Sequence, residues 1–188
     1  MKNKIIYILL GLVLVVAGGI FLNKFTNKKI ITENDVVSSP KNATYIIEGQ
    51  SVILVNGISS TPIAPDSASK ITTQYFGNEV IHDFDHDGRP DIAFVLIQNT
   101  GGSGTFYYVV VALNTIHGYV GSNAVLLGDR SAPQSTEISQ KSNTPDVIIV
   151  NYADRKIGEP FAVKPSIGKS MWLTLDTKTM QLTEVSQK

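Results

Sequence analysis

Apolar residues in this chain fall into one long block followed by a succession of short runs. Residues 5–22 are apolar or glycine throughout and carry no charge. As a helix rising about 1.5 Å per residue, the block reaches roughly 27 Å, close to the depth of a bilayer's hydrocarbon core. The pattern predicts one transmembrane helix there, behind a short cytoplasmic N-terminus at residues 1–4. Residues 23–43 are polar, contain Ser38-Ser39-Pro40 and show no periodicity, which predicts a juxtamembrane linker.

From Thr44 onward the runs are short and rich in Val, Ile, Tyr and Thr, and they are separated by Gly, Pro, Asn and Ser. That punctuation predicts strands. Residues 45–47 and 52–55 flank Glu48-Gly49-Gln50-Ser51 in a hairpin pattern. Residues 61–69 read as a Pro/Ser/Ala-rich loop and 70–76 as another strand. The apolar runs 91–98 and 105–114 are joined by Asn99-Thr100-Gly101-Gly102-Ser103-Gly104, a strong hairpin signal. Strands are further predicted over 119–127, 147–152 and 170–175, with a last hairpin turning at Thr177-Lys178 into 180–185. Uninterrupted runs such as 107–113 suit strands buried on both faces. No segment beyond the N-terminus has helical periodicity. The prediction for 44–188 is one all-β domain, a compact and mostly antiparallel β-sandwich or, failing that, an open barrel, with enough chain for one self-sufficient core.

Charge changes the picture. The formal net charge is zero, but all 16 acidic residues lie at or beyond Glu33, while five of the 16 basic ones precede it. From Ile30 onward the balance is 11 basic against 16 acidic, or −5. Such a domain is a poor match for nucleic acid, whose binding depends on Lys and Arg contacts to phosphate. The same balance argues against tight docking on anionic lipid. Lys2 and Lys4 precede the apolar block, and Lys24, Lys28 and Lys29 follow it. Ala17 and Gly19 would suit a signal-peptidase cut, but Ile20-Phe21-Leu22 continues the apolar run past that point, which favours an uncleaved signal-anchor. Without a cysteine, anchoring through a lipidated Cys is excluded.

The densest chemistry lies at Asp83-Phe84-Asp85-His86-Asp87-Gly88-Arg89-Pro90-Asp91. Four carboxylates alternate around one glycine, and hard divalent cations take oxygen ligands in such loops. Wound around an ion, the loop turns Asp83, Asp85 and Asp87 inward. Gly88 permits the sharp turn, the Arg89 carbonyl faces the ion with its guanidinium in solvent, and Asp91 closes the shell. Ca²⁺ is the expected ion, in a structural role. The EF-hand comparison fails, because Phe94 stands where that loop needs a bidentate glutamate. The stretch resembles instead the calcium loop of FG-GAP (integrin-type) repeats, with Phe76-Gly77 upstream and Ile92-Ala93-Phe94-Val95 downstream. The resemblance covers about twenty residues in a single copy, so it implies the loop and its calcium but not the family's propeller.

More broadly, Tyr75-Phe76-Gly77-Asn78-Glu79, the 101–108 segment, Gly118-Tyr119-Val120-Gly121, Gly128-Asp129-Arg130 and Asn151-Tyr152-Ala153-Asp154-Arg155 resemble a group of membrane-anchored proteins from small-genome bacteria. That likeness implies an anchored single domain and no activity.

Both flanks of the apolar block are basic, so charge alone does not orient it. Extracellular calcium modules work at Kd of roughly 10⁻⁴ to 10⁻³ M, which suits a domain outside the cytoplasm. The expected location is the cell membrane, single-pass, with the N-terminus inside.

Other segments offer little chemistry. Gly101-Gly102-Ser103-Gly104 lacks the last glycine of a nucleophile elbow, since Thr105 stands there. Gly168-Lys169-Ser170 ends like a P-loop, but Val163 replaces its first glycine. His82 and His86 bracket the acidic loop, where an all-oxygen ligand set argues against imidazole and position 4 places His86 outward. His117 reads as a surface residue in a turn. Asp129-Arg130 and Asp154-Arg155 close two β runs and would bind a carboxylate or sugar if their loops met; the plainer reading is loop-fixing salt bridges. Trp172, Tyr107, Tyr108, Tyr119 and Tyr152 suit a carbohydrate platform or, more simply, the core and its rim. With no nucleophile or acid/base pair, the reading is a non-enzymatic binding or adhesion module for an unidentified protein or glycan. The alternatives are an envelope hydrolase acting on glycan or peptide, or a structural subunit of an envelope complex.

Overall fold

The computed structural model describes residues 39–141 and 143–186. The transmembrane and signal-anchor expectations concern residues 5–22, which lie outside that range. Among the described residues no helix is long and apolar enough to cross a membrane.

After one turn of 3₁₀ helix at Pro40–Asn42, the described chain is built from strands. β1 (Thr44–Ile47) and β2 (Gln50–Ile53) form a two-stranded hairpin. Its turn is Glu48-Gly49, with φ of 49° and 79°, the left-handed pair that lets a two-residue loop follow the twist of its strands. A second sheet runs β3 (Ile58–Pro62), β4 (Lys70–His82), β5 (Asp91–Asn99), β6 (Thr105–Thr115) and β7 (Gly118–Gly121), with β8 (Val125–Asp129) on the remaining half of the β6 edge. A third holds β9 (Ala132–Ile138), β10 (Ile148–Asp154), β11 (Ile167–Asp176) and β12 (Gln181–Glu184) in the order β12-β11-β10-β9. Neighbouring strands pair antiparallel, and among the described residues the one parallel contact is an isolated bridge between Ile46 and Asn123.

The side-chain period of two explains why β5 and β6 read as unbroken apolar runs. Ile92, Phe94, Leu96, Tyr108, Val110 and Ala112 face one way and pack with Tyr45, Ile47 and Leu54 of the hairpin layer. Ala93, Val109, Val111 and Leu113 face the other way, against Ile148, Val150, Met171, Leu173 and Leu182 of the four-stranded sheet. The long sheet is therefore a central layer covered on both sides. Phe94 anchors the hairpin side, with the Tyr45 ring edge-on at 5.6 Å and the Tyr75 ring at 4.8 Å. Burying each such side chain stabilises the fold by about 1.5–3 kcal/mol.

The fold is all-β and antiparallel, as the patterning predicts, but several boundaries differ. Residues 58–62 and 132–138 are strands that the apolar pattern does not mark. Both are edge strands with no fully buried residue, each holding a proline, Pro62 and Pro133, and edge positions need few apolar side chains. Strand β4 runs on past Phe76 to His82, with register shifts at Gly77 that bend it. The run 119–127 is two strands, broken where the chain crosses the hairpin. A Cβ on Gly121 would lie 2.3 Å from the Thr44 carbonyl oxygen, so only glycine admits that approach.

Candidate metal site

β4 and β5 run side by side up to the His82–Asp91 pair, so residues 83–90 form the loop of a hairpin whose ends the ladder fixes. Phe84 turns into the main core and is buried, with the His82 ring edge-on at 5.0 Å. That anchor holds the loop down while its carboxylates turn back on the backbone. Asp83 accepts from Asp87 N at 3.1 Å and Gly88 N at 2.9 Å, and Asp85 accepts from Asp87 N at 3.2 Å. Gly88 has φ of 85° with open space around it, so the backbone conformation and not crowding calls for glycine. His86 takes φ of 58°.

Asp91 is almost wholly buried (1 % exposed) and uses both oxygens: Oδ2 accepts from Phe84 N at 2.9 Å and Oδ1 from Asn114 N at 2.7 Å. Each oxygen keeps a lone pair. Ligand oxygens of Asp83, Asp85 and Asp91 all lie within 4.8 Å of one another. Burial, and then the charges of Asp85 and Asp83, push the Asp91 carboxyl above its ordinary range against the pull of its two backbone donors. Three crowded carboxylates, one of them buried, form an oxygen-only donor set of the kind hard cations take.

One expected member, Asp87, is not among those three. Asp87 accepts from Arg89 N at 2.8 Å and ion-pairs with the Arg89 guanidinium. Arg89 does not leave its guanidinium in solvent as expected: Nε also donates to the Asn114 carbonyl at 2.6 Å, tying the loop to the end of β6. The spacing of the carboxylates does not reveal an arginine two residues away that pairs with one of them.

Asp146, which no local pattern marks, meets both loop histidines. His82 Nε2 lies 2.6 Å from its Oδ1, and His86 Nε2 lies 3.3 Å from its Oδ2. This contact spans 64 residues and braces the acidic loop against the segment before β10. A cavity of about 580 Å³ opens beside it, lined by His82, Asp146, Ser139 and Glu137 among others. His117 is exposed in a turn, as expected.

At the opposite end of the strands the two Asp-Arg pairs do come together, and they serve the backbone. Arg155 donates to the carbonyls of Val163 at 2.6 Å, Arg130 at 2.8 Å and Phe161 at 3.1 Å. Arg130 pairs with Asp129 at 3.1 Å and donates to the Ser103 carbonyl, while Asp154 takes Lys169 at 2.7 Å. The tyrosines form no common platform: Tyr108 and Tyr152 are in the cores, and Tyr107 and Tyr119 pack at their margins. Trp172 lies under Lys141, whose Nζ is 5.1 Å from the ring centroid.

Fold and site together define an antiparallel all-β domain carrying a three-carboxylate cluster on a hairpin loop. Comparison with family models, curated proteins and solved structures finds no match for this chain.

Proposed function

We propose that this protein is a membrane-anchored component of the cell envelope. Its β-sandwich domain stands outside the cytoplasm, is stabilised by one bound Ca²⁺, and serves as a non-enzymatic module for binding or adhesion. The observation that carries the reading is the convergence of Asp83, Asp85 and Asp91 in a loop whose ends are fixed by the β4–β5 ladder. In this reading the three carboxylates hold the ion. Asp87 and the Arg89 carbonyl complete the set, which requires Asp87 to exchange its Arg89 partner for the metal. Calcium supplies positive charge that relieves the mutual repulsion of the cluster, and it stabilises by binding only the folded state.

The anchor rests on the uncharged apolar run at 5–22, and the orientation on the weak calcium affinity typical of extracellular modules. Calorimetric titration of the purified protein with CaCl₂ tests the site: one ion per chain with Kd near 10⁻⁴ to 10⁻³ M is expected. Equal heats for wild type and Asp85→Ala would remove the calcium reading. Protease accessibility in intact cells against lysed ones tests the orientation separately.

A further inference from the structure

The loop between β10 and β11 consists of two successive hydrogen-bonded turns. Glu159 N donates to the Lys156 carbonyl at 3.1 Å, and Val163 N donates to the Pro160 carbonyl at 2.9 Å. Turn tips ordinarily carry Gly, Pro, Asn, Asp or Ser. Here the first turn presents Ile157, fully exposed and followed by Gly158 with φ of 86°, and the second presents Phe161, 61 % exposed. Val163 stands exposed beside them.

These apolar tips are held out and do not merely trail in solvent. The Arg155 guanidinium is bonded to the Phe161 and Val163 carbonyls, and the Lys156 N–H to the Glu159 carboxylate at 2.9 Å. The Phe161 ring lies 4.4 Å from the Arg130 guanidinium carbon and 5.8 Å from that of Arg155. A pre-organised pair of exposed apolar tips marks an interaction surface.

The charge around them selects the partner. Residues 154–169 contain Arg155, Lys156, Lys164 and Lys169 against Asp154 and Glu159, a balance of +2. The rest of the domain from Ile30 holds seven basic and fourteen acidic residues, or −7. The overall acidity that argues against lipid is thus segregated away from this one end. Apolar side chains at a tip, ringed by lysine and arginine, match the boundary of an anionic bilayer, where the tips enter the headgroup region and the cations meet phosphate.

We propose that the 155–166 loop docks on an anionic lipid surface, a second membrane contact independent of the N-terminal run.

The chain has no cysteine, so Ile157→Cys can be labelled singly with the polarity-sensitive fluorophore NBD. Ile116→Cys, exposed on the β6–β7 turn at the other end of the domain, serves as the reference. Full-length protein is mixed with vesicles of phosphatidylcholine alone, or with about a third phosphatidylglycerol. The expected result is a rise of at least twofold in NBD emission with a blue shift at position 157, only in the anionic vesicles and not at position 116. Lys156→Glu with Lys164→Glu should abolish the rise. The readout is local to the loop, so it holds whether or not residues 5–22 insert, and co-flotation of the vesicles reports that anchor separately. Equal emission at the two positions would overturn the proposal. So would a rise without lipid that grows with protein concentration, which would assign the loop to a second copy of the chain.

Discussion

Asp91 at the head of β5 accepts the backbone N–H of Asn114 from β6 at 2.7 Å, while its second oxygen accepts Phe84 N from the acidic loop at 2.9 Å. One buried carboxylate thus clamps the loop to the sheet in addition to facing Asp83 and Asp85. Asp91→Ala leaves two backbone N–H groups without that acceptor and should cost about 2–5 kcal/mol even in EDTA. Asp85 accepts one long bond from an amide that Asp83 also serves, so Asp85→Ala in EDTA should fall within about 0.5 kcal/mol of wild type. Denaturant titration of both variants in EDTA checks the difference.

Asn123 joins two sheets through its side chain. Its Nδ2 donates to the Leu182 carbonyl at 3.0 Å, and its Oδ1 accepts Leu182 N at 2.5 Å, as a strand neighbour's backbone would. Asn123→Ala should destabilise by about 2–3 kcal/mol, a large fraction of a typical domain's stability. Asn123→Asp keeps the acceptor but loses the donor and should fall between, which the same titration measures.

Two glycines should respond for different reasons. A Cβ at Gly121 would strike the Thr44 carbonyl at 2.3 Å and the Tyr45 ring at 2.6 Å, so Gly121→Ala should prise the hairpin from β7 at a cost of about 1–3 kcal/mol or more. Gly88 has open space, and there alanine pays only for its left-handed backbone, about 1–2 kcal/mol. Amide exchange should show the first opening around Tyr45 and the second confined to the acidic loop.

Lys169 holds the Asp154 carboxyl below its ordinary range through a 2.7 Å hydrogen bond, and Asp154 in turn raises the Lys169 ammonium. A depressed carboxylate contributes stability above its unfolded pKa, and the contribution disappears as pH falls through the folded value. Asp154→Asn should therefore be less stable than wild type at pH 7, by no more than about 1 kcal/mol for so exposed a pair, with the difference vanishing at the acid end. Melting temperatures between pH 2 and 7 test the sign.

What the sequence shows of this fold follows from burial. β5 and β6 are legible because both faces are covered, and Asn99–Gly104 marks the turn between them. β3 and β9 escape because edge strands with prolines bury little and show no alternation. At the site, Asp83, Asp85 and Asp91 follow from local spacing. Asp146 and Asn114 do not, because they reach the loop only through the strand pairing and the return of a segment 64 residues away from His82. The meeting of Arg130 and Arg155 at Phe161 is hidden for the same reason.

Calcium bound in the Asp83–Asp91 loop is proposed to stabilise the folded domain. Thermal unfolding of the purified protein in EDTA and in millimolar CaCl₂, beside Asp85→Ala, tests it most directly. At about 10 mM CaCl₂ a Kd of roughly 10⁻⁴ to 10⁻³ M corresponds to about 1.4–2.7 kcal/mol, which for a chain of this size raises Tm by roughly 3–10 °C. That rise is expected in wild type and none in Asp85→Ala. An unchanged Tm in wild type, or the same rise in the variant, would contradict it.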